Sequence, residues 1–398
     1  MRDFLSFDPK LLVYGFAILF FASFGQTFFI SIYNLEIREF YILTDGEFGL
    51  VYALGTLSSS VILVGFAKLI DYIDLRIYSL IISVGLSLAC LGMYSSFNNP
   101  FFLFFVIFAL RFFGQGAMSH AGETTMARYF GDNRGKALSV ATLGGMIGVM
   151  ILPMIVVKLA GNLEWKHIWL AGSFSILIIF LPILFLSLQN QSIRHSNFRE
   201  NSLNFVNNKT WRTRDVLFDK KFYYYLPISI AAPYISTGLT FHQIFIINQK
   251  GWTIQMLANG FIFLGIFSII GIIIGGPIVD KYNTKKVIYF TLAPLFFGIL
   301  ALIFFDSYFF MMLYMSLLGL SLGIGTPFIG SLWAELYGLE SLGSVKALLH
   351  ALGVFFSALS PVVFGYMIDF GMGVLSISFM SLFIIIFSTV LPFFYNQN

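Results

Sequence analysis

The sequence predicts an all-α, polytopic membrane protein, with twelve transmembrane helices arranged as two six-helix pseudo-repeat bundles. Three observations carry this expectation. The 398-residue chain is 58% hydrophobic and only 11% charged, with a mean hydropathy of +0.87. Soluble domains carry roughly 25% charged residues, so the polar side chains here are too few to cover a water-facing surface. Apolar runs such as 11–33 and 260–279 carry almost no charge, over about the 20 residues a helix needs to cross a bilayer. Finally, a charged segment occurs twice. Asp71-Tyr72-Ile73-Asp74-Leu75-Arg76 and Asp280-Lys281-Tyr282-Asn283-Thr284-Lys285-Lys286 each follow an apolar run, and their leading aspartates stand 209 positions apart.

In chain order, the first half is expected to span at 11–33, 48–70, 77–96, 100–124, 136–158 and 167–188. The second half is expected to span at 222–247, 255–278, 287–305, 308–331, 345–368 and 374–394. This divides the chain into an N-terminal bundle at 1–188, a connecting loop at 189–221 and a C-terminal bundle at 222–398. The loop is rich in Asn, Ser and Arg and has no apolar periodicity. The first ten residues are too polar and too short for a cleaved signal, so the first run reads as a retained helix. Lys and Arg number 18 in the termini and even-numbered loops against four in the odd-numbered loops. The positive-inside rule then places both termini and the central loop in the cytoplasm, in a multi-pass protein of the inner (plasma) membrane. Cys90 is the single cysteine, which excludes an intrachain disulfide or a thiolate cluster.

The repeat extends beyond the charged segments. Gly114-Gln115-Gly116 matches Gly323-Ile324-Gly325, and Gly144 matches Gly353, both again at 209. Ala137-Leu138 matches Ala347-Leu348 at 210. One register held over separate regions indicates duplication into parallel six-helix halves.

These residues resemble the major facilitator superfamily. Gly276-Pro277-Ile278-Val279-Asp280-Lys281-Tyr282-Asn283-Thr284-Lys285-Lys286 is similar to its loop motif, Gly-x-x-x-Asp-Arg/Lys-x-Gly-x-Arg/Lys-Arg/Lys. Asn283 stands where the family usually has Gly and, like Gly, tolerates a left-handed turn. The first copy departs further, at Ala67, Tyr72 and Asp74. Arg111-Phe112-Phe113-Gly114-Gln115-Gly116 resembles the family's span-4 motif. Arg134-Gly135-Lys136-Ala137 resembles the segment leading into span 5, and Glu164-Trp165-Lys166 sits where organic-anion members have Gly-Trp-Arg. The wording is closest to the monocarboxylate and oxalate/formate branch. The Gly-Pro pair of drug-proton antiporters is missing from span 5. The resemblance implies a secondary transporter that rocks two bundles by alternating access, with spans 1, 4, 7 and 10 lining the cavity. Its expected solute is a small organic anion such as a carboxylate, with proton-coupled symport. The alternatives are an efflux antiporter for amphipathic compounds and a non-transporting membrane receptor that kept the fold.

Arg111 is the sharpest single residue. It lies about 15 Å into span 4 at 1.5 Å per residue, where a charge costs at least about 2.5–3.5 kcal/mol. The acidic residues fall at span ends or in loops, so no fixed anion is expected near it. A guanidinium can grip a carboxylate with two hydrogen bonds, which makes Arg111 a candidate contact for an anionic solute. The other reading is an Arg held by helix carbonyls or by hydroxyls on another span. On an ideal helix Gln115, Met118 and Gly122 share its face and His120 lies opposite. Gln26 and Thr27 are polar near mid-depth of span 1. Ser229, Ser236, Thr240 and Gln243 form a polar stripe on span 7. Candidate solute contacts are thus Arg111, Gln115, Gln26, Thr27, Ser236, Thr240 and Gln243. Candidates for proton coupling are His242, the side chain most easily switched near neutral pH, with Glu123 and His120. Asp71, Arg76, Arg134, Asp280, Lys281 and Lys285 are expected to latch the cytoplasmic side, through carboxylates that accept from exposed amides at a neighbouring helix start.

No nucleotide loop, zinc-protease helix or serine elbow occurs, so an enzyme is not expected. The five histidines lack ligand spacing, and no metal or cofactor is expected. The expected partners are the solute, protons and lipid; nucleic acid is excluded and a monomer is expected.

Overall fold

The computed structural model describes residues 8–160, 162–189, 191, 213–338 and 342–396. Most of the connecting loop expected at 189–221 therefore lies outside the described residues. Helices α1 (Pro9–Gly25) and α2 (Thr27–Tyr41) form one bent span, followed by α3 (Asp45–Asp71), α4 (Leu75–Ser95), α5 (Pro100–Tyr129), α6 (Arg134–Ala160) and α7 (Trp165–Ser187). A second bent span comprises α8 (Lys220–Phe241) and α9 (Gln243–Lys250), and α10 (Ile254–Lys281), α11 (Thr284–Phe304), α12 (Tyr308–Tyr337), α13 (Leu348–Asp369) and α14 (Val374–Phe394) follow. Ten helices are long and apolar enough to cross a membrane, and each bent pair brings the total up to twelve. Among the described residues there is no strand, as backbone polar groups in hydrocarbon require.

Local chemistry sets the helix starts. Asp8 accepts from Leu11 N ahead of Pro9, and Asn99 accepts from Phe101 N ahead of Pro100. Proline tolerates these first positions because its missing N–H would have had no intrahelical partner. Asp219 and Thr253 cap α8 and α10 in the same way. Several stops turn left-handed, at Gly251 (φ 66°) and Gly371 (φ 77°).

The chain divides into two compact units. Unit 1 comprises Met1–Ile42 and Val51–Val206; unit 2 comprises Leu43–Leu50 and Asn207–Asn398. The first turns of α3 thus belong with unit 2. Within unit 1, α1 packs on α6, and α4 on α7. Within unit 2 the equivalent partners meet, α8 on α13 and α11 on α14, while α10 packs along α12. This shared pairing is the three-dimensional counterpart of the 209-residue register.

Three features depart from the straight helices expected. The first span bends by 44° at Gln26, whose backbone is extended (φ −84°, ψ 152°). The seventh bends by 67° at His242. Inside α5, residues Leu110–Met118 form a π-helix. Each π turn adds a residue to the loop between bonded groups, so the faces expected from ideal α-helical spacing do not hold beyond Arg111. Met118 is buried, whereas Gln115 and His120 are half-buried.

Candidate functional site

In unit 1 the break in the first span builds a polar cluster. Gly25 and Gly114 bring the α1 and α5 backbones into contact: a Cβ on Gly114 would lie 2.7 Å from the Gly25 Cα, and one on Gly25 would collide with the Leu110 carbonyl oxygen. This approach delivers the Gly25 carbonyl to Arg111, whose Nη1 donates to it at 2.9 Å. Arg111 Nε donates to Thr56 Oγ1 at 3.1 Å. The Tyr52 ring lies 5.1 Å from the guanidinium carbon, within cation–π range. Tyr52 in turn shares a 2.6 Å hydrogen bond with Thr27. Arg111 is only 2% exposed. Of the two readings the sequence left open, a carbonyl and a hydroxyl on other spans are what hold the guanidinium here. Its partners are neutral, and no carboxylate pairs with it among the described residues, so the positive charge is not cancelled. Gln26, Thr27 and Gln115 stand half-buried beside it.

In unit 2 the expected stripe divides between Ser236 and Thr240. Ser229 accepts from the Trp333 indole N–H at 3.0 Å, and Ser236 turns its hydroxyl back to the Pro233 carbonyl at 3.3 Å. Thr240 and Gln243 instead line a cavity of about 20 Å³ with Trp252, Met311, Tyr314 and Met315. That volume holds about one water.

The bend itself carries a buried pair. His242 is 1% exposed, and its Nδ1 lies 3.4 Å from Asp45 Oδ1 on the first turn of α3. Its Nε2 lies 2.8 Å from the Pro361 carbonyl oxygen of α13. Asp369, at the end of α13, accepts from the amides of Asp45 (3.1 Å) and Gly46 (2.9 Å), the exposed donors of a helix start. A Cβ on Gly46 would stand 2.6 Å from the Asp369 carboxylate, so Gly is what admits that carboxylate. Sequence reasoning named His242 but set Asp45 and Asp369 aside as loop-end acids. Their positions, four residues after one span and at the end of another, gave no sign that they meet.

The charged segments are arranged differently from the expectation. Asp71 pairs with Arg128 of α5, which also reaches the Ile70 carbonyl. Arg76 pairs with Asp74, not with Asp71. Arg134 and Asp280 are exposed and make no ion pair among the described residues, and Lys281 lies over the Tyr282 ring at 5.4 Å. Asn283 is not left-handed. At φ −59° and ψ 127° it caps α11 by accepting from Lys285 N. The helix start at Thr284 is held by Glu335 of α12, which accepts from its amide at 3.1 Å and from its hydroxyl. The carboxylate-on-amide device is present, but Glu335 and Asp369 supply it rather than Asp71 and Asp280. His120 Nε2 lies 3.4 Å from the Thr124 hydroxyl one turn on, and Glu123 is exposed.

A bundle of apolar spans with paired halves, two spans broken at polar residues and a buried uncancelled arginine defines a polytopic carrier. The chain belongs to the Major Facilitator Superfamily, whose family profile matches residues 15–361. It is a transporter and not an enzyme. No curated protein matches the chain. Among solved structures it is similar to a bacterial homolog of the human lysosomal transporter Spinster, in an inward-facing and unoccupied conformation. The identity is 12% and the TM-score 0.62, with 99% of this chain and 96% of that chain covered. At that identity the likeness speaks to fold alone.

Proposed function

We propose that the protein is a proton-coupled secondary transporter that moves a small organic anion across the inner (plasma) membrane. It works as a monomer by alternating access of two six-helix bundles, with both termini cytoplasmic. The observation that carries the anion reading is the Arg111 cluster. A guanidinium held only by neutral groups, in a span of a membrane protein, sets up a positive potential that a carboxylate would lower. Arg111 acts from behind the half-buried Gln26, Thr27 and Gln115, which offer the amide and hydroxyl donors a carboxylate needs. Thr240 and Gln243 are the matching polar groups in unit 2. The monocarboxylate-like wording of residues 111–166 agrees with this solute class. Asp71, Arg76, Arg134, Asp280, Lys281 and Lys285 keep their assignment to the cytoplasmic gate, with Arg128 added as the partner of Asp71. His242, rather than Glu123 or His120, is the proton group, because it alone of the three is buried against a carboxylate.

A second reading, efflux of amphipathic compounds, draws support from the Met and aromatic wall of the small cavity. Uptake of radiolabelled mono- and dicarboxylates into proteoliposomes separates the two. The expected outcome is accumulation driven by an inward proton gradient, abolished in Arg111→Gln and weakened in Arg111→Lys. Carboxylate uptake indifferent to both the gradient and the Arg111→Gln substitution would defeat the proposal. Exchange of protons for amphipathic cations instead would favour the second reading.

A further inference from the structure

We propose that Tyr52 is the positioning residue of the Arg111 site. Its ring fixes how the guanidinium is presented to the solute, and its hydroxyl ties that arrangement to the break in the first span. The inference rests on the anion reading above and deepens it by naming what orients the anion's contact.

A guanidinium grips a carboxylate with two parallel hydrogen bonds, and this needs the two planar groups to face edge to edge. An arginine side chain has many rotamers, so its surroundings must choose the plane. Two contacts act at the rim of the group. Nε donates to Thr56 Oγ1 at 3.1 Å and Nη1 donates to the Gly25 carbonyl at 2.9 Å. Nε has one hydrogen, and Thr56 takes it. The donors that remain lie on the Nη1–Nη2 edge, so that edge is the one offered to an anion.

Two hydrogen bonds still let the group rock about the line that joins them. The third contact removes this freedom. The guanidinium carbon lies over the Tyr52 ring, 5.1 Å from its centre, where the face of the ring attracts the cation. Tyr52 is fully buried, so packing holds the ring in place. Tyr52 and Thr56 are one turn apart on α3 and share a face. A single helix thus supplies both the ring and one of the rim contacts.

The hydroxyl has a separate task. It shares a 2.6 Å hydrogen bond with Thr27 Oγ1. Thr27 opens α2 directly after the extended Gln26, and Gly25 closes α1 directly before it. The two sides of the break are therefore tied to the two members of one contact pair, Gly25 to Arg111 and Thr27 to Tyr52. The backbone of Gln26 is satisfied locally, by Ser23 O and by the amides of Phe29 and Ile30. The bend is thus held by its own chain. What the Tyr52–Arg111 pair sets is where the bend sits against α3 and α5. A ring needed for packing alone would be served equally by Phe, and the bond to Thr27 is what Phe would lose.

Uptake of radiolabelled lactate and succinate into proteoliposomes tests this, with Arg111→Gln measured beside Tyr52→Phe and Tyr52→Leu. Folded carrier is counted for each variant by fluorescence-detected size exclusion. Positioning acts on affinity, so KM should rise while the maximal rate per folded carrier holds. Tyr52→Leu loses ring and hydroxyl, and its KM should rise roughly ten- to thirtyfold, the worth of a desolvated cation–π contact. Tyr52→Phe restores the ring, so its KM should rise only about threefold, the worth of a neutral hydrogen bond. A fall in folded yield or maximal rate with KM unchanged in both variants shows a structural role and overturns the proposal. Equal KM values in Tyr52→Leu and Tyr52→Phe also overturn it. Should Tyr52→Leu not fold, Tyr52→Phe decides, and a wild-type KM there overturns the proposal. Failure of the anion reading looks different: the wild type takes up neither anion, or Arg111→Gln matches it. Loss of uptake in Arg111→Gln with unchanged KM in the Tyr52 variants defeats this inference alone.

Discussion

Asp74 and Asn283 occupy equivalent positions in the two halves, and both stand where the family's loop motif has Gly. Their backbones nearly coincide, at φ −58°, ψ 133° and φ −59°, ψ 127°. Each side chain accepts from the amide two residues on, from Arg76 N at 2.7 Å and Lys285 N at 2.9 Å. The substitutions therefore change a turn residue into a helix cap, a role in which Asp and Asn excel. Asp74→Ala and Asn283→Ala should each cost about 1 kcal/mol, seen as a lower midpoint in thermal unfolding of the detergent-solubilised protein. Asp280→Ala, exposed and without an ion pair among the described residues, should stay within about 0.5 kcal/mol of wild type. Equal effects at all three sites would remove the cap assignment. The sequence shows the spacing and the residue type. It cannot show whether a carboxylate caps its own helix, as Asp74 does, or a neighbouring one, as Glu335 and Asp369 do. Both uses suit the same side chain, and packing chooses between them.

At the scale of helices, glycine identity and glycine role separate. Gly144 and Gly353 match in the sequence register, yet a Cβ on Gly144 would collide with the Phe16 carbonyl oxygen of α1, while Gly353 has open space around it. Gly144→Ala should therefore reduce folded yield and unfolding temperature, because backbone cannot move aside as a flexible side chain can. Gly353→Ala should be neutral or stabilise by up to about 1 kcal/mol through helix propensity. A fluorescence-detected size-exclusion melt of the two variants checks this; similar melting losses would contradict the packing difference. Gly114 and Gly323 behave alike, each pressed against the backbone of a partner helix. The breaks at Gln26 and His242 belong to this scale as well. Hydropathy sees one apolar run on either side of each, since a single non-helical residue alters neither length nor composition. The polar residues at the breaks were legible as candidates; the bends that give them their surroundings were not.

For the molecule as a whole, the bias of Lys and Arg toward the termini and even-numbered loops leads to a simple expectation. On the proposed topology, which puts that end in the cytoplasm by the positive-inside rule, a fluorescent protein fused to the C-terminus should fold and fluoresce, and alkaline phosphatase fused there should be inactive. The reverse pattern would invert every inside and outside assignment made above. The sequence alone determined the class of protein, since composition, run length and the 209-residue register follow from solvation and duplication and need no contact map. It also singled out Arg111 and His242, because a charge or a titratable ring in an apolar span is rare for energetic reasons that hold in any fold. Only the tertiary structure decided their partners. Arg111 meets Gly25 and Thr56 and His242 meets Asp45 and Pro361 over separations of 55 to 197 residues. Such distances are closed by helix packing, to which one-dimensional patterns are blind, and the same packing brought two acids at span ends together at the start of α3, Asp369 onto its amides and Asp45 beside His242.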